Sequence, residues 1–553
     1  MIQSGHLSSK FAVMRHAPSA WYVFEGQPVR RGQLPRRSSE RRRLSRSLRG
    51  IEGTIVFLSA FERPDFERRS AIIFRDRKYT YGQIAAEARL MAGGLQSSGI
   101  RPGDRIALYM RNSEQYIPAY LACEWIGAVA VPIRYSEADV FAISWCNHMG
   151  VKTVIADDEL KERITSQASE LTSCRTVVTP LQARIAAPNP EKYSHVVNDG
   201  KPLLIVHTSG STAQPKAVMQ GLDALNVHAR AMIEYLPLRP DDVVCVVSDL
   251  SHGFGLNTLV TLPFSVGAAV LIFNQSEYDD ETIIHEMTKQ GATIVGSNPV
   301  RFRRLLLAAR HLAEFHSAEL PKLRFALSST DKLPDDVAIQ WQEIFGTPLL
   351  ECWGMTETCS CILFNRPGDH KVGTAGRPIP NVEIRIVGSD DRDVPDGDVG
   401  EMWLAGDFLF SGYWNDPEAT QQATDSGWFR TGDQFIRDPS GRYRFVGRGG
   451  HSIKRGGILG SVFEIESAFM RHPAVAECVA VTVPSKEWGQ DIELFVKLRS
   501  SISAVELGAH ADITCGIFMR PSRYWSVSAI PETSAGKVAR NIEKLRAAAE
   551  PLT

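Results

Sequence analysis

The chain has 553 residues, long enough for two or more domains, and its 43% hydrophobic and 23% charged residues are ordinary for a globular protein. A net charge of -1 argues against a general nucleic-acid or membrane surface, and no stretch approaches the ~20 apolar residues of a membrane helix. The nine cysteines are scattered without a Cys-x-x-Cys, Cys359 and Cys361 being the closest pair, so neither a disulfide framework nor a cysteine metal site is expected and a cytoplasmic setting is.

Residues 1–50 differ from the rest. Arg30-Arg31, Arg36-Arg37 and Arg41-Arg42-Arg43 stand among serines, and Glu25 and Glu40 are the only acids. This composition points to a disordered extension. An organelle transit peptide, a nucleic-acid or membrane tail, and an appendage outside the functional fold all fit it. The third is preferred, because no amphipathic pattern is clear before Ile51.

From Ala71 short apolar runs alternate with amphipathic helices. The run Thr80 to Leu90 reads as a helix with Thr80 as N-cap, and Gly103-Asp104-Arg105 as a turn into the strand Ile106 to Met110. A helix through Tyr120 to Trp125 and a buried strand Gly127 to Val131 follow. Such alternation implies a parallel sheet covered on both faces. Leu203 to Val206 is the next buried strand, and it opens into His207-Thr-Ser-Gly-Ser-Thr-Ala-Gln-Pro-Lys216. Hydroxyls, backbone N–H groups and a terminal lysine suit a phosphate, although the spacing is not that of the Gly-x-x-x-x-Gly-Lys nucleotide loop. Alone, the segment leaves an ordinary loop equally open.

The rhythm resumes with strands over Asp242 to Val247 and Ala268 to Phe273 and a helix over Glu281 to Met287. Between them lies Ser251-His252-Gly253-Phe254-Gly255-Leu256, where glycines let a ring approach a ligand closely. Trp353-Gly354-Met355-Thr356-Glu357-Thr358 combines a large ring, a hydroxyl and a carboxylate. Val382 to Val387 and Gly400 to Leu404 alternate with period two and predict a half-exposed antiparallel sheet or small barrel. Thr431-Gly432-Asp433 offers a carboxylate suited to two ribose hydroxyls, after Gly412-Tyr413-Trp-Asn415 and before Phe445-Val-Gly447-Arg448. The glycines of Gly447 to Gly450 make a hinge. Beyond it come Ile453-Lys454-Arg455-Gly456-Gly457 and Pro531-Glu-Thr-Ser-Ala-Gly536-Lys537-Val-Ala-Arg540.

This series, in this order over Ile51 to Leu545, resembles the adenylate-forming superfamily of acyl-CoA synthetases, peptide-synthetase adenylation domains and luciferases. The resemblance implies an α/β fold. A large N-terminal domain (51–449) has parallel or mixed sheets covered by helices plus a small antiparallel barrel-like region, and a mobile α+β lid (450–553) follows. It implies that Thr208, Ser209, Gly210, Ser211, Thr212 and Lys216 cradle ATP phosphates. Trp353 and Gly354 lie against adenine, Thr356 contacts phosphate, and Glu357 holds Mg2+. His252 flanks the substrate carboxylate and gates the pantetheine channel. Asp433 takes the ribose, Arg448 the ribose or the α-phosphate side, and Lys454, Gly456 and Gly457 swing in for thioester formation. Lys537 bridges carboxylate and α-phosphate during adenylation.

Some residues depart from the family pattern. Ala213 replaces a glycine, Gly450 and His451 stand where charged hinge residues are usual, and Val462 replaces a proline. Ser328-Ser329-Thr330-Asp331 stands for Ser-Gly-Gly-Ala; Thr330 would narrow the pocket and Asp331 could accept from the adenine amino group. Arg301 or Arg303 could pair with a second substrate carboxylate, though exposed helix arginines are the plainer reading.

The expected activity is ATP-dependent carboxylate–CoA ligation through an acyl-adenylate, with ATP, Mg2+ and coenzyme A as cofactors. Gly253 argues against an α-amino acid, because amino-acid-activating relatives place an Asp there. Loading of a carrier protein, a non-catalytic nucleotide-binding homologue and luciferase-like oxygenation are the rivals. No nucleic-acid partner is expected. The acid itself, fatty, aryl or carnitine-like, is not fixed by the sequence.

Overall fold

The computed structural model describes residues 56–185, 202–208, 216–274, 276–312, 320, 322–448, 452–455, 458–485, 489–515, 519–532 and 538–553, with three short strands before residue 31. Two compact units are distinguished, Met1–Thr54 and Ile55–Thr553.

In the first unit the strands Phe11–Val13, Trp21–Phe24 and Gln27–Arg30 pair antiparallel in sequence order. The arginine-rich composition predicts no regular structure here. The strands fall instead on the aromatic and β-branched Trp-Tyr-Val-Phe run and its flanks, where β propensity is highest.

The second unit is built on two large sheets. A seven-stranded sheet runs in the order Gly412–Tyr413, Ala217–Gly221, Pro202–His207, Val129–Ile133, Arg105–Tyr109, Val151–Ala156 and Thr176–Val178. A nine-stranded sheet contains the parallel neighbours Ala269–Ile272, Val243–Val246, Ile294–Ser297, Phe325–Ser328 and Leu349–Gly354. Their side chains are buried almost throughout, as expected for parallel strands covered on both faces. Thr80 caps the helix Tyr81–Ser97 as predicted, in a capping box with Gln83.

Glu383–Val387, Val399–Ala405, Trp428–Arg437, Thr424–Asp425 and Tyr443–Arg448 form a five-stranded antiparallel sheet where the period-two pattern predicts one. Gly449 and Gly450, expected to form a hinge, lie outside the described residues. Beyond them the hairpin Ser452–Arg455 with Ile458–Ser461 precedes a four-stranded sheet of Val475–Ser485, Gly489–Leu498, Arg523–Val527 and Ala549–Pro551. Among the described residues no helix is long and apolar enough to cross a membrane.

Candidate active site

The hydroxyl-rich loop springs from Pro202–His207 and returns as Ala217–Gly221, which pairs antiparallel with it. The Thr208 N–H donates to the Lys216 carbonyl at 3.0 Å, and the Lys216 N–H donates to Thr208 Oγ1 at 3.2 Å. The two expected ends of the phosphate loop are thus pinned together. Ser209, Gly210, Ser211, Thr212 and Ala213 lie outside the described residues. The Lys216 ammonium rests 4.6 Å from the centroid of the Tyr413 ring.

Glu357 follows the strand Leu349–Gly354 in the single turn Thr356–Thr358. It is only 5% exposed, and the Tyr413 hydroxyl donates to its Oε1 at 2.9 Å. Burial raises the Glu357 carboxyl above its ordinary range, while the Tyr413 hydrogen bond and the charges of Arg448 and Lys216 oppose that rise. A carboxylate that accepts from a neutral hydroxyl, and that among the described residues makes no ion pair, keeps lone pairs for a hard cation. The residues present therefore fit Mg2+ shared with ATP phosphates. Among the described residues no group of three or more His, Cys, Asp or Glu forms a protein-only metal site.

Buried amides hold the Glu357 turn from behind. Gln220 Nε2 donates to the Thr356 carbonyl at 2.8 Å. Asn257 Nδ2 lies 3.1 Å from Gln220 Oε1 and 2.6 Å from the Cys359 carbonyl. Cys359 itself takes a positive φ of 64°, which turns the chain into the strand Cys361–Phe364. Sequence reasoning missed Gln220 and Asn257, because each contact spans about a hundred residues or more and carries no local signal.

Trp353, Asp433 and Arg448 converge from two sheets. Trp353 Nε1 donates to Asp433 Oδ2 at 3.2 Å, and Arg448 Nε donates to Asp433 Oδ1 at 2.5 Å. Asp433 and Arg448 face each other in the register of neighbouring antiparallel strands. The indole also packs edge-on against Phe435, with ring centroids 5.0 Å apart.

His252 precedes a π-helical segment, Phe254–Thr261, of a kind often found at functional sites. Its Nδ1 accepts from the Gly255 N–H at 3.4 Å. A Cβ on Gly255 would lie 2.0 Å from the Asp249 carbonyl, so only glycine fits. At Gly253 a Cβ would lie 2.9 Å from the Cys359 carbonyl, which excludes an aspartate in this backbone.

Asp331 Oδ1 accepts from the Lys332 N–H at 2.8 Å, a bond to its own neighbour that leaves the adenine role open. Thr330 has φ of 75°, a strained value for a β-branched residue, and its buried hydroxyl has no hydrogen-bond partner among the described residues. Arg301 corrects the surface reading: it is 9% exposed and its Nη1 lies 2.6 Å from Asp280 Oδ1. Arg303 is partly exposed, with Asp336 at 3.7 Å.

Lys454 lies on the strand Ser452–Arg455, and its side chain, like Gly456, Gly457 and Lys537, lies outside the described residues. The ends of the Lys537 segment are nevertheless fixed. Glu532 bridges Val538, and the Ala539 N–H donates to the Pro531 carbonyl at 2.8 Å. Arg540 Nη2 donates to Glu466 Oε2 at 3.0 Å, and the guanidinium lies 4.6 Å from the Phe463 ring centroid. Phe463 in turn lies 5.6 Å from the Lys332 ammonium, next to Asp331.

A model of the AMP-binding enzyme family matches residues 62–414, and a model of the AMP-binding enzyme C-terminal domain matches residues 464–537. The chain belongs to the adenylate-forming, AMP-binding enzyme family. Within that family it is similar to the 3-hydroxybenzoate–CoA/4-hydroxybenzoate–CoA ligase of Thauera aromatica, 27% identical over 496 residues that cover 85% of this chain and 92% of the relative. Its fold is similar to that of the anthranilate CoA ligase AuaEII in complex with anthranoyl-AMP, with a TM-score of 0.81 and 25% identity over 89% of this chain and 97% of that one. ATP-bound MatB from Rhodopseudomonas palustris is similar with a TM-score of 0.80 and 25% identity, covering 88% and 98% of the two chains. The matched AMP-binding region contains the Lys216, Glu357 and Trp353 positions, and Gly449 and Gly450 fall between the two matched regions.

Proposed function

We propose that this protein is an ATP-dependent carboxylate–CoA ligase that passes through an acyl-adenylate and releases pyrophosphate and AMP. The convergence of Trp353, Asp433 and Arg448 beside Lys216, Tyr413 and Glu357 carries the reading.

Trp353 offers a flat surface for adenine, its tilt fixed by the bond to Asp433. Asp433 accepts from the ribose hydroxyls, and the Arg448 guanidinium holds that carboxylate in place. Lys216 brings a point charge to the phosphates at the mouth of the pinned loop. Glu357 would hold Mg2+, which when bound would supply positive charge to the phosphates. Lys537 stabilises the charge shift as the substrate carboxylate attacks the α-phosphate. His252 flanks the carboxylate and the path of the CoA thiol. The C-terminal segment from residue 450 acts as the moving lid that exchanges Lys537 for Lys454, Gly456 and Gly457 between half-reactions.

The close approach of Gly253 to the Cys359 carbonyl leaves no room for an amine-binding aspartate and favours acids without an α-amino group. All nine cysteines are unpaired, which suits a cytoplasmic enzyme.

The test is pyrophosphate release from ATP over a panel of carboxylic acids, with and without CoA. Release with one class of acid, followed by a CoA thioester and abolished in Lys537→Ala, is the expected result. Release without a thioester would shift the reading to loading of a carrier protein. No release with any acid would overturn the catalytic reading.

A further inference from the structure

The phosphate-loop lysine and the metal-binding carboxylate come from segments 141 residues apart, yet one side chain touches both. Tyr413 lies on the short strand Gly412–Tyr413, which pairs with Ala217–Gly221 so that Tyr413 stands opposite Val218, two residues beyond Lys216. The backbone fixes this placement on both sides. The Trp414 N–H donates to the Ala217 carbonyl at 2.8 Å, and the Tyr413 N–H donates to Thr420 Oγ1 at 2.9 Å. Nearby, the Phe410 N–H donates to the Glu357 carbonyl at 2.8 Å. The ring is thereby clamped with its face 4.6 Å from the Lys216 ammonium and its hydroxyl 2.9 Å from Glu357 Oε1.

From this geometry we infer that Tyr413 is a positioning residue that sets Lys216 and Glu357 relative to one another for a metal–nucleotide ligand. The inference rests on the reading of Glu357 as the Mg2+-holding carboxylate. Its two contacts act by different physics. The hydroxyl supplies a hydrogen bond to a carboxylate, which fixes the orientation of Glu357 without neutralising its charge as an arginine would. The ring face supplies a cation–π contact, which restrains the ammonium while leaving its N–H groups able to turn toward phosphate oxygens. A strand of two residues would be a poor source of stability alone. Its value lies in joining the exit of the phosphate loop to the Glu357 turn.

The two contacts separate experimentally. Tyr413→Phe keeps the ring and removes the hydroxyl, and Tyr413→Leu removes both. Binding of ATP is measured calorimetrically with Mg2+ and with chelator, and KM is measured for the carboxylic acid. The Phe variant is expected to weaken binding of ATP in the presence of Mg2+ by about tenfold while leaving metal-free ATP binding and the KM of the acid unchanged, the scale of one hydrogen bond to a charged group. The Leu variant is expected to weaken metal-free ATP binding as well, by about threefold or more, through loss of the contact to Lys216. Metal-free binding also serves as the fold control for the Phe variant. Equal losses with and without Mg2+ in the Phe variant would reduce Tyr413 to a structural residue and overturn the inference. So would no loss in either. Glu357→Gln separates the two levels: if it binds ATP with Mg2+ as tightly as the unaltered protein, the metal reading of Glu357 fails. If it loses binding while Tyr413→Phe does not, only the positioning role of Tyr413 fails.

Discussion

Trp353 and Asp433 are joined by a hydrogen bond from the indole Nε1 to a carboxylate oxygen at 3.2 Å, although they belong to different sheets. The ring proposed to lie against adenine is thereby coupled to the carboxylate proposed for ribose. Trp353→Phe keeps a ring and deletes the donor. It is expected to raise the KM for ATP about three- to tenfold, in line with a hydrogen bond to a charged acceptor, and to leave the KM of the acid unchanged. Steady-state kinetics with each substrate varied in turn decides this. A change confined to the acid would place the ring elsewhere.

Gln220 is fully buried and holds the Thr356 carbonyl, with Asn257 behind it. Gln220→Leu would leave that carbonyl without its side-chain donor and is expected to cost about 1–3 kcal/mol of unfolding free energy. Because the freed turn carries Glu357, ATP turnover should fall further than the loss of folded protein explains. Denaturant unfolding beside kcat of the folded fraction checks both parts, and an unaltered kcat would confine the amide pair to stability.

Thr330 pays for a left-handed backbone with no hydrogen bond from its hydroxyl among the described residues. Thr330→Gly relieves the Cβ clash, worth about 1–2 kcal/mol, against an unfolded-state entropy cost of about 0.5–1 kcal/mol. The net expectation is equal or slightly higher stability. A loss above about 1 kcal/mol in urea unfolding would show that the side chain holds the segment in place.

Glu124 is buried inside the helix Tyr116–Trp125, where only the Leu58 backbone partly offsets the burial of its carboxyl. Burial pushes its carboxyl up to about 8, from 4.5. The folded state therefore binds more protons than the unfolded state between these values, and stability falls as pH rises through that window. Glu124→Gln removes this slope. The variant and the unaltered protein should be nearly equal at pH 4.5, while the variant gains toward pH 8, at most about 1.4 kcal/mol per unit of pKa difference. Unfolding free energies at both pH values test it, and a constant difference would mean that burial does not raise the carboxyl.

The candidate site was legible wherever chemistry is concentrated in a short segment. The hydroxyl run up to Lys216, Trp353 to Glu357, and Asp433 with Arg448 stand out because rings, charges and glycines cluster at fixed spacing. The parallel strands were legible because burial on both faces demands continuous apolar runs, as in Leu203 to Val206. Gln220 and Asn257 were not, since an amide in an apolar stretch looks the same whether or not a distant carbonyl awaits it. Arg301 was misread as surface because helix position alone does not reveal Asp280. Tyr413 was visible as a letter in Gly-Tyr-Trp but had no role, which needed the pairing of a two-residue strand with the loop's exit.

The loop that ends in Lys216 turns back into a strand, Ala217–Gly221, and the helix Leu222–Tyr235 begins only after it. Nucleotide sites that open directly into a helix draw on the positive end of the helix macrodipole to hold phosphate. A hairpin supplies no such field, since strand dipoles largely cancel. At the proposed site, attraction to the triphosphate would come from discrete groups, among them the Lys216 and Lys537 ammonium groups and the cation that accompanies ATP. Affinity for the nucleotide should consequently depend steeply on divalent ion and on ionic strength, and the enzyme should discriminate free ATP from its metal complex more sharply than a helix-capped site of equal contact area would.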